Sequence, residues 1–198
     1  MAGTKDFGIT YQKSQDDING MNLFHGLTRN YGPNHKDGET NIFHGFADAA
    51  FTNANDYKST TGYVFLAAGG AITWKSKKQM IIAMSSTESE YVALSEAGHE
   101  AFWLKIFMMN LASHRWDQQS QKVTMKVQLF YLTTLNSMCG QNTLKYITID
   151  WVRDLVNDKV LDVQSCCDPE QMADILTKPL PMPKHQRHRQ EMGMGAIK

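Results

Sequence analysis

A stripe of apolar residues constrains this chain more than any other feature. Leu94, Ala97, Ala101, Leu104, Met108 and Leu111 recur at steps of three and four residues. That spacing is the period of an α-helix with one buried face. Ser85-Ser86-Thr87 offers N-caps, and Thr87-x-x-Glu90 fits a capping box. The expected helix is long and ends near Ala112. A helix with one apolar face needs a surface to cover, and the residues before it supply one. The mostly apolar run 42–51 reads as a buried strand, ended by the turn-rich segment 52–56. Thr60 to Leu66, rich in Thr, Tyr, Val and Phe, reads as a second strand. Gly69-Gly70 then turns the chain into a third strand at Ala71 to Trp74. The short loops between the three point to an antiparallel meander.

Beyond the long helix, Val127 to Leu132 reads as a fourth strand, Ile149 to Asn157 as a helix and Val160 to Val163 as a short strand. Asp168-Pro169 starts a last helix, with the proline at its first position, and Pro179, Pro181 and Pro183 stop it. The order β-β-β-α-β-α-β-α predicts an α/β fold, a mixed sheet packed with helices. Residues 14–41 are polar and rich in Asn, Gly and Asp, and read as a loop.

Composition narrows the function classes. Twenty Lys and Arg balance twenty Asp and Glu, so any contact with nucleic acid must come from local patches. Cys139, Cys166 and Cys167 are odd in number and lack a CxxC spacing. They form neither a disulfide framework nor a zinc site, and the thiols are expected to be reduced. The first ten residues carry no apolar leader core. The longest apolar stretches are broken by Gly69 and Gly70, or by Lys105, well short of the ~20 residues of a membrane span. An intracellular protein, cytoplasmic or nuclear, with no membrane partner is expected.

Three carboxylates stand in unusual places. Asp48 lies inside an apolar strand, where a lone charge is costly unless compensated. Glu90 heads the apolar stripe of the long helix, whereas Glu88 leads to the wetter positions Ser95 and His99. Asp174 lies one turn into the last helix. Each has a plain structural alternative: a hydrogen-bonded Asp at a strand end, the acid of a capping box, and an acid favoured by a helix dipole. Together they could instead converge on two divalent cations of the kind that cleave phosphodiesters, and magnesium takes such hard oxygen ligands.

Longer motifs add a resemblance. Gly45-Phe46-Ala47-Asp48-Ala49, Lys58-Ser59-Thr60-Thr61-Gly62-Tyr63-Val64-Phe65, Ile72-Thr73-Trp74-Lys75-Ser76-Lys77-Lys78-Gln79 and Ser85-Ser86-Thr87-Glu88-Ser89-Glu90-Tyr91-Val92-Ala93-Leu94 follow one another. They closely resemble the ribonuclease H domain of copia-type LTR retrotransposon Pol polyproteins. Ala173-Asp174-Ile175-Leu176-Thr177-Lys178-Pro179-Leu180 resembles that family's closing motif, and Gly3-Thr4-Lys5-Asp6-Phe7-Gly8-Ile9 resembles the end of its reverse-transcriptase region.

The resemblance implies a ribonuclease H-like fold, with a five-stranded mixed sheet flanked by helices. It implies cleavage of RNA in RNA–DNA hybrids with two magnesium ions (Mg2+), and catalytic, metal-binding roles for Asp48, Glu90 and Asp174. It also implies a division into 1–41, a reverse-transcriptase remnant with an irregular linker; 42–181, the ribonuclease H-like domain; and 182–198, a tail. The reverse-transcriptase portion of the parent polyprotein is the implied protein partner.

The resemblance implies four metal-binding acids, of which Asp48, Glu90 and Asp174 match the first, second and fourth; the third lies at the end of the family's fourth strand, and here Leu132 stands in that place. No Asp or Glu lies between Asp117 and Asp150 to replace it. Ala50-Phe51 also stand where the family usually has Asp-Trp. The pattern is that of a degenerate copy with weak or no cleavage; the alternatives are a non-catalytic nucleic-acid-binding domain and a functionless relic. Lys75, Lys77 and Lys78 beside Trp74 are expected on one exposed edge, either as a nucleic-acid contact or as a solvated hairpin edge. The basic run Lys184 to Arg189 reads as a solvated helix end, with a phosphate contact as the alternative.

Overall fold

The computed structural model describes residues 7–10, 43–51, 56–67, 69–111, 123–127 and 143–196. Its strands are β1 (Phe7–Ile9), β2 (His44–Ala50), β3 (Thr60–Ala67), β4 (Gly70–Lys78), β5 (Val123–Val127), β6 (Leu161–Ser165) and β7 (Met194–Ala196). Its α-helices are α1 (Ser86–Leu111), α2 (Thr143–Asn157), α3 (Asp174–Thr177) and α4 (Met182–Glu191).

Five strands form one sheet in the order β4-β3-β2-β5-β6. The β2–β3 and β3–β4 pairs are antiparallel, as the short loops require, and β2–β5 and β5–β6 are parallel. The expected mixed sheet with flanking helices is therefore present. Strand alternation gives β2 two different faces. Ala47 joins Tyr63, Phe65, Leu94, Ala97, Ala101 and Leu104 in the core beneath α1, and Val152 and Leu155 of α2 complete it. Ala97 and Ala101 are fully buried; their small side chains let α1 lie close to the sheet. On the opposite face, Phe46 and Val64 pack with Ala71, Met172, Ala173 and Met192.

Several boundaries differ from the sequence reading. β4 continues through Lys78 because β3 pairs with it as far as Thr60. β5 begins at Val123, four residues before the expected start, since Val123, Met125 and Val127 alternate into the α1 core. Residues 128–132, with Leu132, lie outside the described residues, as does the expected loop at 14–41. α2 starts earlier, at Thr143, and β6 ends later, at Ser165.

The capping box is Ser85-x-x-Glu88 rather than Thr87-x-x-Glu90. Ser85 Oγ accepts the Glu88 N–H at 3.1 Å, and Glu88 Oε2 accepts the Met84 N–H at 2.6 Å. The expected last helix is instead a 3₁₀ turn at Asp168–Glu170 followed by the short α3. Pro181 and Pro183 start α4 rather than stop its predecessor, because proline fits the first turn, where the N–H has no helical partner.

The run Lys184 to Arg189 is not simply a solvated helix end. His188 and Met192 are buried, and the chain continues into β7, which pairs antiparallel with β1. Thr10 N–H donates to Gly193 O at 2.9 Å, and the Arg189 guanidinium lies 4.3 Å from the Phe7 ring centroid.

Candidate carboxylate site

The site lies where β2, the start of α1 and α3 meet. Asp48 is 1% exposed and stands opposite Gly62 in the β2–β3 pair. The Thr177 hydroxyl donates to Asp48 Oδ2, and Lys178 Nζ lies 3.7 Å from the same oxygen. Gly62 makes this approach possible. A Cβ there would lie 2.5 Å from Thr177 Cγ2 and 2.9 Å from Leu176 Cβ, so only glycine leaves α3 its seat. Gln171 pins the same segment from the other end. Its side-chain N–H donates to Ala47 O at 3.0 Å, and its side-chain oxygen accepts the Ala173 N–H at 3.4 Å.

Asp174 opens α3 and is also 1% exposed. Lys178, one turn on, places Nζ 2.8 Å from Asp174 Oδ1. Lys184, on α4, places Nζ 2.5 Å from Asp174 Oδ2. Glu90, on the second turn of α1, accepts a hydrogen bond from the Ala49 backbone N–H and senses the charges of Asp48 and Asp174. The structure thus brings Asp48, Glu90 and Asp174 to one place, while Glu88 stays at the helix cap.

The electrostatics record crowding of like charges. Glu90 is pushed up to about 8, first by burial and then by Asp48, against the pull of the Ala49 N–H and Lys178. Burial also raises Asp48, and Asp174 adds to the rise, while Thr177 and Lys178 oppose it. Burial alone would lower Lys178, but Asp174 and Asp48 outweigh it and leave it raised. Buried carboxylates in mutual repulsion are a hard-oxygen donor set suited to magnesium. In this conformation Lys178 and Lys184 supply the positive charge. Among the described residues, no group of three His, Cys, Asp or Glu side chains is arranged to hold a metal ion.

Sequence reasoning did not single out four residues of this site: Gln171, Thr177, Lys178 and Lys184. Thr177 and Lys178 lie within the closing motif, and Lys178 is one helical turn from Asp174, a spacing that signals an ion pair. Nothing in the sequence connects Lys184 with Asp174, because a chain reversal separates them.

The three lysines of β4 lie on the outer strand of the sheet. Lys75 turns to α1, with Nζ 2.8 Å from Glu96 and 5.9 Å from the Tyr63 ring centroid. Lys78 pairs with Asp56, and Lys77 is exposed. Strand alternation puts Lys75 and Lys77 on one face and Lys78 on the other.

The chain has the strand order β4-β3-β2-β5-β6, with helices packed on both faces, of a ribonuclease H-like fold. Its homologues are retrovirus-related Pol polyproteins of copia-type plant transposons. The polyprotein of the tobacco (Nicotiana tabacum) transposon TNT 1-94 is 38% identical over 79% of this chain and 12% of its own length. That of Arabidopsis thaliana transposon RE1 is 31% identical over 83% of this chain and 12% of its own length. The chain therefore spans only a small part of these relatives. No protein-family model matches it. Among solved structures, LC11 ribonuclease H1 in complex with an RNA/DNA hybrid is 15% identical, with a TM-score of 0.48 over 68% of this chain and 93% of that one.

Proposed function

We propose that this domain engages RNA–DNA hybrids at the carboxylate site and cleaves the RNA strand weakly or not at all. The convergence of Asp48, Glu90 and Asp174 from three separate elements carries this reading. A structural explanation accounts for each acid singly but gives no reason for placing three together at the cost of raising Asp48 and Glu90.

Asp48, Glu90 and Asp174 would hold magnesium through their oxygens. Bound there, magnesium would supply the charge that activates water and stabilises the leaving oxygen in phosphodiester hydrolysis. Thr177 fixes one oxygen of Asp48, Gln171 seats the α3 segment on β2, and the Ala49 N–H orients Glu90. Leu132 at the family's remaining acid position offers no oxygen. Loss even of a residue that only orients a ligand commonly costs ~10–100-fold in metal affinity or activity, and loss of a ligand itself costs at least as much.

The upstream segment belongs to the same reading. β1 falls within the stretch that resembles the reverse-transcriptase end, and its pairing with β7 supports a joint between that region and this domain.

Cleavage of a labelled RNA–DNA hybrid with magnesium tests the proposal, comparing the parent chain, Leu132→Asp and Asp48→Asn. The expected order is Leu132→Asp above the parent, with Asp48→Asn at background. Strong Asp48-dependent cleavage by the parent would refute impairment. Hybrid binding without cleavage in both parent and Leu132→Asp would assign the chain to the non-catalytic class.

A further inference from the structure

Each oxygen of Asp174 has an ammonium group within ion-pair distance, and only the one at Oδ2 makes a hydrogen bond. Lys178 Nζ is 2.8 Å from Oδ1, and Lys184 Nζ is 2.5 Å from Oδ2. Lys178 also reaches Asp48 Oδ2, at 3.7 Å. The carboxylates are 1% exposed, whereas the lysine side chains are 39% and 29% exposed. The acids are thus fixed in the fold, while each ammonium sits at the end of a flexible stem that opens to solvent. An ammonium at this distance competes with a divalent cation for the same carboxylate charge.

Resting on the carboxylate-site reading above, we propose that Lys178 and Lys184 are displaceable counter-ions, holding Asp174 and Asp48 in place until a divalent cation takes over those oxygens. The two lysines come from different elements, α4 in one case and the residue closing α3 in the other. The Lys178–Asp174 pair has the i,i+4 spacing that a helix favours by itself, whereas Lys184 reaches Asp174 from a separate helix. Their competition with the cation is reciprocal: the ammonium contacts lower cation affinity, and a bound cation weakens those contacts by the same factor.

The test uses the full chain with manganese as probe, the free ion being counted by electron paramagnetic resonance, and thermal melting in chelator. Lys178→Met and Lys184→Met are each expected to bind manganese about tenfold more tightly than the parent. Each should melt several degrees lower without metal, and manganese should restore part of the loss. Lys178→Arg, which keeps the charge, should behave like the parent. Manganese affinities equal to the parent's in both methionine variants would overturn the counter-ion role. If Asp48→Asn still weakens manganese binding in that case, the carboxylate-site reading survives alone. If Asp48→Asn binds manganese as the parent does, the site reading itself fails.

Discussion

Gly62 faces Asp48 directly across the β2–β3 pair, and the volume its side chain would need is filled by Thr177 and Leu176. A position with no side chain thus sets how closely the last acid-bearing segment approaches the first. Gly62→Ala should lift α3 from the sheet and separate Thr177 from Asp48. The expected loss is roughly 1–3 kcal/mol, the usual cost of overpacking, read as a fall in the denaturation midpoint. Gly195→Ala is the control, because a Cβ there meets nothing within 4 Å, and its effect should stay within about 0.5 kcal/mol.

The helix cap separates two neighbouring acids that the sequence alone leaves ambiguous. Ser85 receives the Glu88 N–H, and Glu88 reaches back to the Met84 N–H. Ser85→Ala should therefore cost about 1 kcal/mol, whereas Thr87→Ala should cost less than about 0.5 kcal/mol. Urea denaturation of the two variants distinguishes the frames. Equal losses would return the cap to Thr87.

Periodicity made the centre of this fold legible and failed at its margins for physical reasons. The stripe from Leu94 to Leu104 fixed α1 and the inward phase of Glu90, because burial beneath the helix selects those residues. The motif around Asp48 marked β2 for the same reason. At β4 the signal faded after Trp74: an outer strand does not need apolar residues, and lysines there discourage pairing with other chains. Prolines misled because one residue type both ends a helix and begins the next. The pairing of Lys184 with Asp174 across a chain reversal leaves no local trace, since an ion pair between elements imposes no spacing.

The acid site gives stability a pH dependence with a definite sign. The Glu90 carboxyl stands at about 8 in the fold against an ordinary value of 4.5. Between those values the folded chain keeps a proton that the unfolded chain has released, so stability falls as pH rises. The penalty is absent below about 4.5 and complete above about 8. The raised Asp48 acts in the same direction. Glu90→Gln should thus melt several degrees above the parent at pH 9 and close to it at pH 5. Melting curves across this range check the sign, and a parent that gains stability steadily toward pH 9 would contradict it.

The lysines of β4 should not contribute equally to hybrid binding. Lys75 is engaged by Glu96 and Lys78 by Asp56, so a phosphate must compete with a carboxylate for each. Lys77 is exposed beside them. Lys77→Ala should lower the slope of log affinity against log salt by about one unit. Lys75→Ala and Lys78→Ala should lower it less, because a charge already neutralised releases fewer counter-ions on binding. Fluorescence anisotropy of a labelled hybrid across a salt series measures all three. If Lys77→Ala leaves the slope unchanged, hybrids do not reach this part of β4, and the lysines serve only to keep an outer strand solvated.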